Sequence, residues 1–261
     1  MSKLIYKSAE EIAQIRKSAD VLSRTLGEIA KAIKPGVQTI DLDKLAYTFI
    51  QDNGGTPAFL NYNGFPYSLC ISVNDQIVHG FPSAYELREG DIISVDGGVV
   101  LNGYISDSAY TFAVGEVSSE IAQLLQVTKD SLGKGVEQAV VGKRVGDISF
   151  AIQEHVRAYD YGIVKELVGH GVGINLHEKP EVPNYGQRGK GTKLERGMVI
   201  AIEPMINLGK AGVKFWDDGW TVSTIDAKPS AHYEHTVSID KGQPDVLTTF
   251  SYIEEVLSKK G

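Results

Sequence analysis

Cysteine is nearly absent from this sequence, since Cys70 is the single one among 261 residues. One cysteine cannot form an intramolecular disulfide, and it cannot supply a zinc site built from several cysteines. This usage fits a reducing compartment, and the cytoplasm is the expected location. Long apolar runs are also missing: no stretch of about 18 apolar residues occurs, and the N-terminal region lacks the apolar core of a signal peptide. We therefore expect no membrane span and no membrane partner.

Positive charge is in short supply, with 26 lysines and arginines against 33 aspartates and glutamates and a formal net charge of −7. No run of basic residues offsets this balance, which argues against a protein that binds the backbone of nucleic acids. The remaining composition, with 42% hydrophobic residues, is that of an ordinary globular protein. A chain of this length can build its core without a disulfide, a structural zinc or a partner.

Amphipathic helices are predicted in two pairs. Residues 8–11 have the form of a capping box, and apolar residues at spacings of three and four then predict a long helix that ends at Pro35-Gly36. A shorter helix is predicted over about residues 40–51. In the second pair, Ser118 is expected to cap one helix, and Asp147 is expected to cap another that runs up to Gly162.

The two helix pairs belong to an internal repeat. Residues 87–96, LREGDIISVD, match residues 194–203, LERGMVIAIE, with their apolar positions in register and an acid at the end of each run. The segments that precede them, 35–41 and 141–147, match as well. Each half of the chain is therefore predicted to contain two helices followed by strands.

This duplication predicts one α+β domain over residues 1–261, with halves of about 8–112 and 118–250. Strands from both halves are expected to meet centrally, with the helices packed outside. If a pseudo-twofold axis relates the halves, Asp96 and Glu203 face each other across it.

The segment around Asn102-Gly103 predicts a β-hairpin, because this dipeptide is the strongest short hairpin signal and strand-forming residues flank it. Counting from a two-residue loop places Gly98 opposite Asp107, with Asp96 two residues further along the same face. Such diagonal neighbours lie roughly 7 to 8 Å apart, so both carboxylates can reach a shared cation. A bulge at Gly97-Gly98 would change this register. Like charges on a buried face need a cation or must take up protons, so either a metal or an acid pair is predicted.

Further candidate ligands lie in the second half. His170 and His177 occur in a glycine-rich stretch whose spacing fits neither a phosphate-binding loop nor a zincin helix. Glu203 and Glu234 each lie in apolar, strand-like surroundings, where glutamate is rarely buried unless it is paired or coordinates an ion. This oxygen-rich set suits Mn²⁺, Fe²⁺ or Co²⁺ and has enough ligands for two ions. Its members are Asp96, Asp107, His170, Glu203 and Glu234.

Short motifs found in this order along the chain match those of a known family. They are Cys70-Ile-Ser-Val-Asn74, His79-Gly-Phe-Pro82, Val95-Asp96, Asp107-Ser108, Gly169-His-Gly-Val-Gly173, His177-Glu-x-Pro180, Ile202-Glu-Pro204 and Tyr233-Glu-His-Thr236. Through them nearly the whole chain resembles methionine aminopeptidase in its shorter type 1 form. The resemblance implies the pita-bread fold, with two pseudo-symmetric halves around a central antiparallel sheet, in agreement with the internal repeat.

The resemblance also implies a role for each candidate ligand. Asp107 and Glu234 would bridge two divalent metal ions. Asp96 would complete the shell of one ion, and His170 with Glu203 would complete that of the other. Cobalt, manganese and Fe(II) are the expected ions, with zinc as a further option.

The implied reaction is metal-assisted removal of an N-terminal methionine, with a preference for a small second residue. Glu203 would carry the proton, while His79 and His177 would hold the substrate and stabilise the tetrahedral intermediate and the leaving nitrogen. The implied partners are the N-termini of peptides or nascent chains, and a monomer is expected. Contact with the ribosome is left open by the sequence. The positions that match the methionine pocket are Tyr62, Phe65, Cys70, Leu176 and Trp220.

Two alternatives remain at the level of sequence. A proline-specific aminopeptidase or dipeptidase shares the fold, but it normally carries an additional N-terminal domain, whereas the duplicated unit here begins near residue 8. A non-catalytic binding protein on the same fold is the second alternative, although such relatives lose metal ligands and this chain has them all. The short interval from His177 to Glu203 lacks the insertion that is typical of the type 2 form.

Overall fold

The computed structural model describes residues 3–259. Its helices are α1 (Ala9–Ala32), α2 (Thr39–Asp52), α3 (Ser119–Val136), α4 (Val145–Val156) and α5 (Ser251–Leu257). Short 3₁₀ turns occupy Tyr62–Gly64 and Arg157–Tyr159. Within residues 3–259, no helix combines the length and the apolar character that a membrane crossing requires.

Helix α1 begins as its capping box predicts. The Ser8 hydroxyl accepts a hydrogen bond from the Glu11 amide at 3.2 Å, and the Glu11 carboxylate accepts one from the Ser8 amide at 2.7 Å. Most of the apolar side of the helix is buried, and Ile15 and Leu22 on it are fully buried. Ser118 caps α3 in the predicted manner, because its hydroxyl accepts a hydrogen bond from the Ile121 amide.

The bounds predicted for the fourth helix were wrong at both ends. Asp147 lies inside the first turn of α4, and its carboxylate accepts a hydrogen bond from the Arg144 amide at 2.8 Å. An acid that reaches back in this way allows the helix to begin before it, at Val145. The helix ends at Val156, well before Gly162, because Asp160 adopts the left-handed conformation with φ of 57° and turns the chain away.

The strands are short except for one long pair. They are β1 (Thr56–Pro57), β2 (Leu69–Val73), β3 (Gln76–Val78), β4 (Ile92–Leu101), β5 (Tyr104–Ala113), β6 (Gly162–Ile163), β7 (Gly169–Gly171), β8 (Glu178–Val182), β9 (Val199–Ile202), β10 (Met205–Asn207), β11 (Val213–Phe215), β12 (Val222–Thr224), β13 (Ser230–His232), β14 (His235–Ser238) and β15 (Asp245–Val246). In the sheet of the first half, β4 pairs with β5 along one edge and with β1 and β2 along the other. In the second half, β9 lies between β14 and β7 in the order β15-β14-β9-β7-β8. Two smaller sheets have the orders β13-β10-β6 and β11-β12-β3.

The hairpin β4–β5 has the predicted register. Gly98 is opposite Asp107, and Asp96 is opposite Ala109. The pairing runs without interruption from Ile92 to Leu101, so the alternative of a bulge at Gly97-Gly98 is excluded. These glycines serve close packing instead, since a Cβ at Gly97 would lie 2.6 Å from a methyl carbon of Leu69.

The two halves of the chain meet along β5. The Glu234 amide donates a hydrogen bond to the Ala109 carbonyl at 2.9 Å, and the Asp107 amide donates one to the Thr236 hydroxyl at 3.0 Å. Helix α1 packs on β4 and β5, and α3 packs on strands of the second half. One hydrophobic core includes residues from both halves. The architecture is the predicted pita-bread fold, with helices outside antiparallel strands.

Candidate active site

The predicted ligands come from separate strands and line one cavity of about 530 Å³. Asp96 lies on β4 and Asp107 on β5, while His170 lies on β7. Glu203 directly follows β9, and Glu234 lies between β13 and β14. The convergence follows from the fold, because β5 contacts the segment that carries Glu234 while β9 pairs with both β7 and β14.

His170 is the closest imidazole to the carboxylates. Its Nε2 is 3.5 Å from Oε1 of Glu203 and 3.8 Å from Oδ2 of Asp107. One possible ligand atom from each of Asp107, His170 and Glu234 lies within 4.8 Å of the others. This spacing is compatible with a shared divalent ion.

The carboxylates are buried and only partly hydrogen-bonded. Oδ1 of Asp96, Oδ1 of Asp107 and Oε1 of Glu234 have no hydrogen-bond partner in the part of the chain that the structure describes. Burial raises the pKa of Asp96 to about 7. Burial also raises the pKa values of Asp107, Glu203 and Glu234, to which the negative charge of neighbouring acids adds.

The residues present therefore fit a divalent metal centre. Unpaired buried oxygens are costly, and several carboxylates with one imidazole are the donors that such ions take. Nδ1 of His170 lies 2.9 Å from the Gly171 carbonyl oxygen, which can only accept, so Nδ1 carries the proton. Burial lowers the pKa of His170 to about 3, which keeps the ring neutral and leaves the Nε2 lone pair facing the carboxylates.

His79 and His177 also line the cavity. Nδ1 of His177 is 2.8 Å from the Tyr62 hydroxyl, and its ring is centred 4.3 Å from that of His170. The His79 ring is centred 6.2 Å from Trp220, and burial lowers the pKa of His79 to about 4. Both imidazoles are positioned to act as neutral hydrogen-bonding groups beside the carboxylates.

An apolar pocket adjoins the carboxylates in the same cavity. Phe65 is buried and packs against Trp220, with the ring centroids 5.0 Å apart. Cys70 is a free, buried thiol whose pKa is raised by burial, so it forms a neutral part of the wall. The Asp218 carboxylate accepts hydrogen bonds from the Trp220 and Thr221 amides, which fixes the turn that carries Trp220. The predicted pocket residues that line the cavity are Tyr62, Phe65, Cys70, Leu176 and Trp220, and Phe59 joins them.

Sequence reasoning missed two residues close to this site. His232 lies on β13, with Nε2 3.7 Å from Oε2 of Glu203. Asn184 is buried, and its side-chain amide donates a hydrogen bond to the Glu203 backbone carbonyl at 3.0 Å. His232 directly precedes the motif that begins at Tyr233, and this position next to the motif was the one signal in the sequence that could have indicated it. Nothing in the local pattern indicated Asn184.

Comparison with known proteins gives a consistent picture. The sequence model that describes metallopeptidase family M24 matches residues 13–241 of this chain. The methionine aminopeptidase of Clostridium perfringens is 51% identical over 245 residues, which cover 94% of this chain and 98% of that protein. The crystal structure of methionine aminopeptidase from Thermotoga maritima matches with a TM-score of 0.93 and 39% identity, covering 95% of this chain and 100% of that one. A prolidase from Pyrococcus furiosus matches with a TM-score of 0.76 and 25% identity, and 65% of its chain is covered.

Proposed function

The chain belongs to metallopeptidase family M24, and from this membership and its site we propose that it removes the N-terminal methionine of peptides and newly made proteins. One observation carries the proposal: a group of carboxylates and a histidine that could hold a divalent metal shares a single cavity with an apolar pocket. With metal bound, the first could support the attack of water on a peptide bond, and the second can receive an unbranched apolar side chain. A small second residue is the preferred one.

We propose that the cavity holds two divalent ions, with cobalt, manganese or Fe(II) favoured and zinc as a further option. Asp96, Asp107, His170, Glu203 and Glu234 would hold these ions, the four acids through carboxylate oxygens and His170 through Nε2. The chemistry that such ions supply is polarisation of the scissile carbonyl and activation of water near neutral pH. The buried oxygens without partners on Asp96, Asp107 and Glu234 support this assignment.

Glu203 carries the proton in the proposed mechanism. Its carboxyl faces the cavity, and burial raises its pKa, so it can take up a proton from the attacking water and later release it to the leaving amide nitrogen. His79 and His177 hold the peptide and donate hydrogen bonds to the tetrahedral intermediate and the leaving nitrogen. We assign the donor role in the 2.8 Å contact between the Tyr62 hydroxyl and Nδ1 of His177 to the hydroxyl, so that Nε2 of His177 carries the ring proton and can donate to the substrate.

The methionine side chain occupies the apolar end of the cavity. Phe65 and Trp220 form an edge-to-face pair there, with rings inclined at 72°, and the neutral Cys70 thiol contributes to the wall. The buried Phe59 and Leu176 belong to the same cluster. An unbranched thioether side chain suits such an irregular apolar space.

We further propose that residues 1–261 form one metallo-aminopeptidase domain with two internal halves of about 8–112 and 118–250. Residues 1, 2, 260 and 261 lie outside the described part of the chain. The protein is proposed to act as a monomer in the cytoplasm, on the N-termini of peptides and nascent chains. The single, buried and free Cys70 supports a reducing compartment.

A peptide panel tests the proposed function. Metal-loaded protein is incubated with Met-Ala-Ser, Met-Leu-Ser and Ala-Pro-Ala, and the released amino acid is identified. We expect methionine from Met-Ala-Ser, much less from Met-Leu-Ser, and no cleavage of Ala-Pro-Ala. Release from the proline peptide alone would assign the chain to proline-specific hydrolysis. No release from any peptide, with metal bound, would favour a binding protein on the same fold.

A further inference from the structure

His232 is a buried histidine that the proposed mechanism does not use. Its side chain is 1% exposed, and neither ring nitrogen has a hydrogen-bond partner among residues 3–259. Buried polar atoms in native proteins are nearly always satisfied, so an imidazole with two unpaired nitrogens requires an explanation.

The backbone of His232 is held firmly in place. Its amide donates a hydrogen bond to the Thr111 hydroxyl at 2.8 Å, and its carbonyl accepts one from the same hydroxyl at 2.7 Å. Strand β13 also pairs His232 with Met205 on β10. The ring therefore projects from a fixed point where the two halves of the chain meet.

The ring of His232 lies close to the proposed proton carrier. Nε2 of His232 is 3.7 Å from Oε2 of Glu203, while Oε1 of Glu203 is 3.5 Å from Nε2 of His170. The Glu203 carboxyl thus lies between two imidazoles, one near each oxygen. His232 is not among the described residues that line the cavity, so it would influence a substrate through neighbours that do line it, of which Glu203 is one.

An imidazole carries at least one N–H in every tautomer, and a carboxylate oxygen is its natural acceptor. Shortening the 3.7 Å separation by less than about 1 Å gives an ordinary hydrogen bond. Such a bond would satisfy a buried nitrogen and fix the plane of the carboxyl.

We propose that His232 is a positioning residue: its Nε2–H donates to Oε2 of Glu203 and thereby directs Oε1 toward the side of His170, where metal and substrate are held. This role rests on the proposed function, because it assigns a partner to the group that moves the proton. Outer partners of metal ligands commonly act in this way.

Two substitutions at His232 test the proposal. His232→Leu removes the donor, whereas His232→Gln keeps a side-chain N–H of similar reach. A matched control is His155→Leu on α4, since His155 also has a buried ring nitrogen without a partner in the described chain but lies outside the cavity. The measurements are kcat and KM for Met-Ala-Ser, the affinity for Mn²⁺ alone by titration calorimetry, and circular dichroism of the metal-free protein.

We expect His232→Leu to lower kcat or the Mn²⁺ affinity by about 10- to 100-fold with KM within about twofold, and His232→Gln to recover most of the loss. His155→Leu should match the wild type in both. A His232→Leu protein with normal kcat and normal Mn²⁺ affinity would overturn the proposal, as would equal damage in the Leu and Gln variants, which would indicate core packing alone. If the wild type releases no methionine, the proposed function fails, and the calorimetry still decides whether His232 supports the centre.

Discussion

The ammonium of Lys7 and the carboxylate of Glu178 form an ion pair in which both side chains are only 1% exposed. The other carboxylate oxygen of Glu178 accepts hydrogen bonds from the Ile174 and Asn175 amides, at 2.9 and 2.8 Å. The Lys7 amide donates to the Gly197 carbonyl at 2.7 Å. The pair thus ties the segment before α1 to the loop that carries His177.

Lys7→Met is expected to destabilise the protein, because it leaves the Glu178 carboxylate buried without its cation. Breaking such a pair from one side costs about 3 kcal/mol in the free energy of unfolding. Urea unfolding of the metal-free protein measures the loss. The exposed Lys44–Asp41 pair offers the control, and Lys44→Met should cost about 0.5 kcal/mol or less. Equal losses in the two variants would show that the buried Lys7–Glu178 pair contributes no more to the free energy of unfolding than an exposed pair.

Glu203→Gln is expected to lower kcat for Met-Ala-Ser by at least about 100-fold, because an amide cannot take up and release the proton. The fold should be retained, since the substitution preserves the shape of the side chain. Circular dichroism checks the fold, and released methionine gives the rate. A variant that keeps a kcat close to that of the wild type would rule out Glu203 as the proton carrier.

Removing the metal should lower the melting temperature. A ligand that binds only the folded state stabilises it, by about 2.7 kcal/mol when present at a hundred times its dissociation constant. For a chain of this size that corresponds to roughly 5 to 10 °C. Differential scanning calorimetry of the chelated protein, with and without added Mn²⁺, measures the shift. Mg²⁺ at the same concentration controls for ionic strength, and identical melting curves with Mn²⁺ and chelator would argue against the buried carboxylate centre.

Relative to the Asp96→Asn variant, the metal-free protein should lose stability as the pH rises from about 4 to about 7. Burial raises the pKa of Asp96 to about 7, above its value of about 4 in the unfolded chain. The stabilisation by the protonated acid is therefore fully present below about pH 4 and is lost as the pH rises through the raised pKa. The lowered pKa values of His79 and His170 act in the opposite direction, but the variant shares both histidines, so the difference between the two proteins isolates Asp96. Urea unfolding of both proteins at several pH values tests the sign, and a difference that shifted in favour of the wild type with rising pH would contradict a buried acid at this position.

Local signals in the sequence were enough to predict the relative position of site residues that lie on the same hairpin. The Asn102-Gly103 turn determines the pairing of β4 with β5, so counting residues was enough to place Asp96 diagonally across from Asp107. The repeat predicted that acids of both halves meet, because it duplicates the strands that carry them.

Long-range partners could not be predicted in this way. Lys7 and Glu178, like His232 and Glu203, come together only through the packing of whole elements, and neither pair has a characteristic spacing. The start of α4 was misplaced for a local reason, since an acid can cap a helix from its first turn as well as from the position before it.

Tyr62→Phe tests whether the hydroxyl bound to His177 matters for the reaction. The Tyr62 oxygen is 2.8 Å from Nδ1 of His177, and losing one such hydrogen bond costs about 1 kcal/mol, or roughly a fivefold change in rate. Because the bond orients a ring that does not belong to the proposed metal ligands, kcat should fall while the Mn²⁺ affinity stays unchanged. Tyr67→Phe is the matched control, since Tyr67 packs against Phe65 in the same aromatic cluster but is not among the described residues that line the cavity. A loss of rate in Tyr67→Phe equal to that in Tyr62→Phe would assign the effect to the cluster as a whole, whereas a loss confined to Tyr62→Phe would place His177 in the reaction.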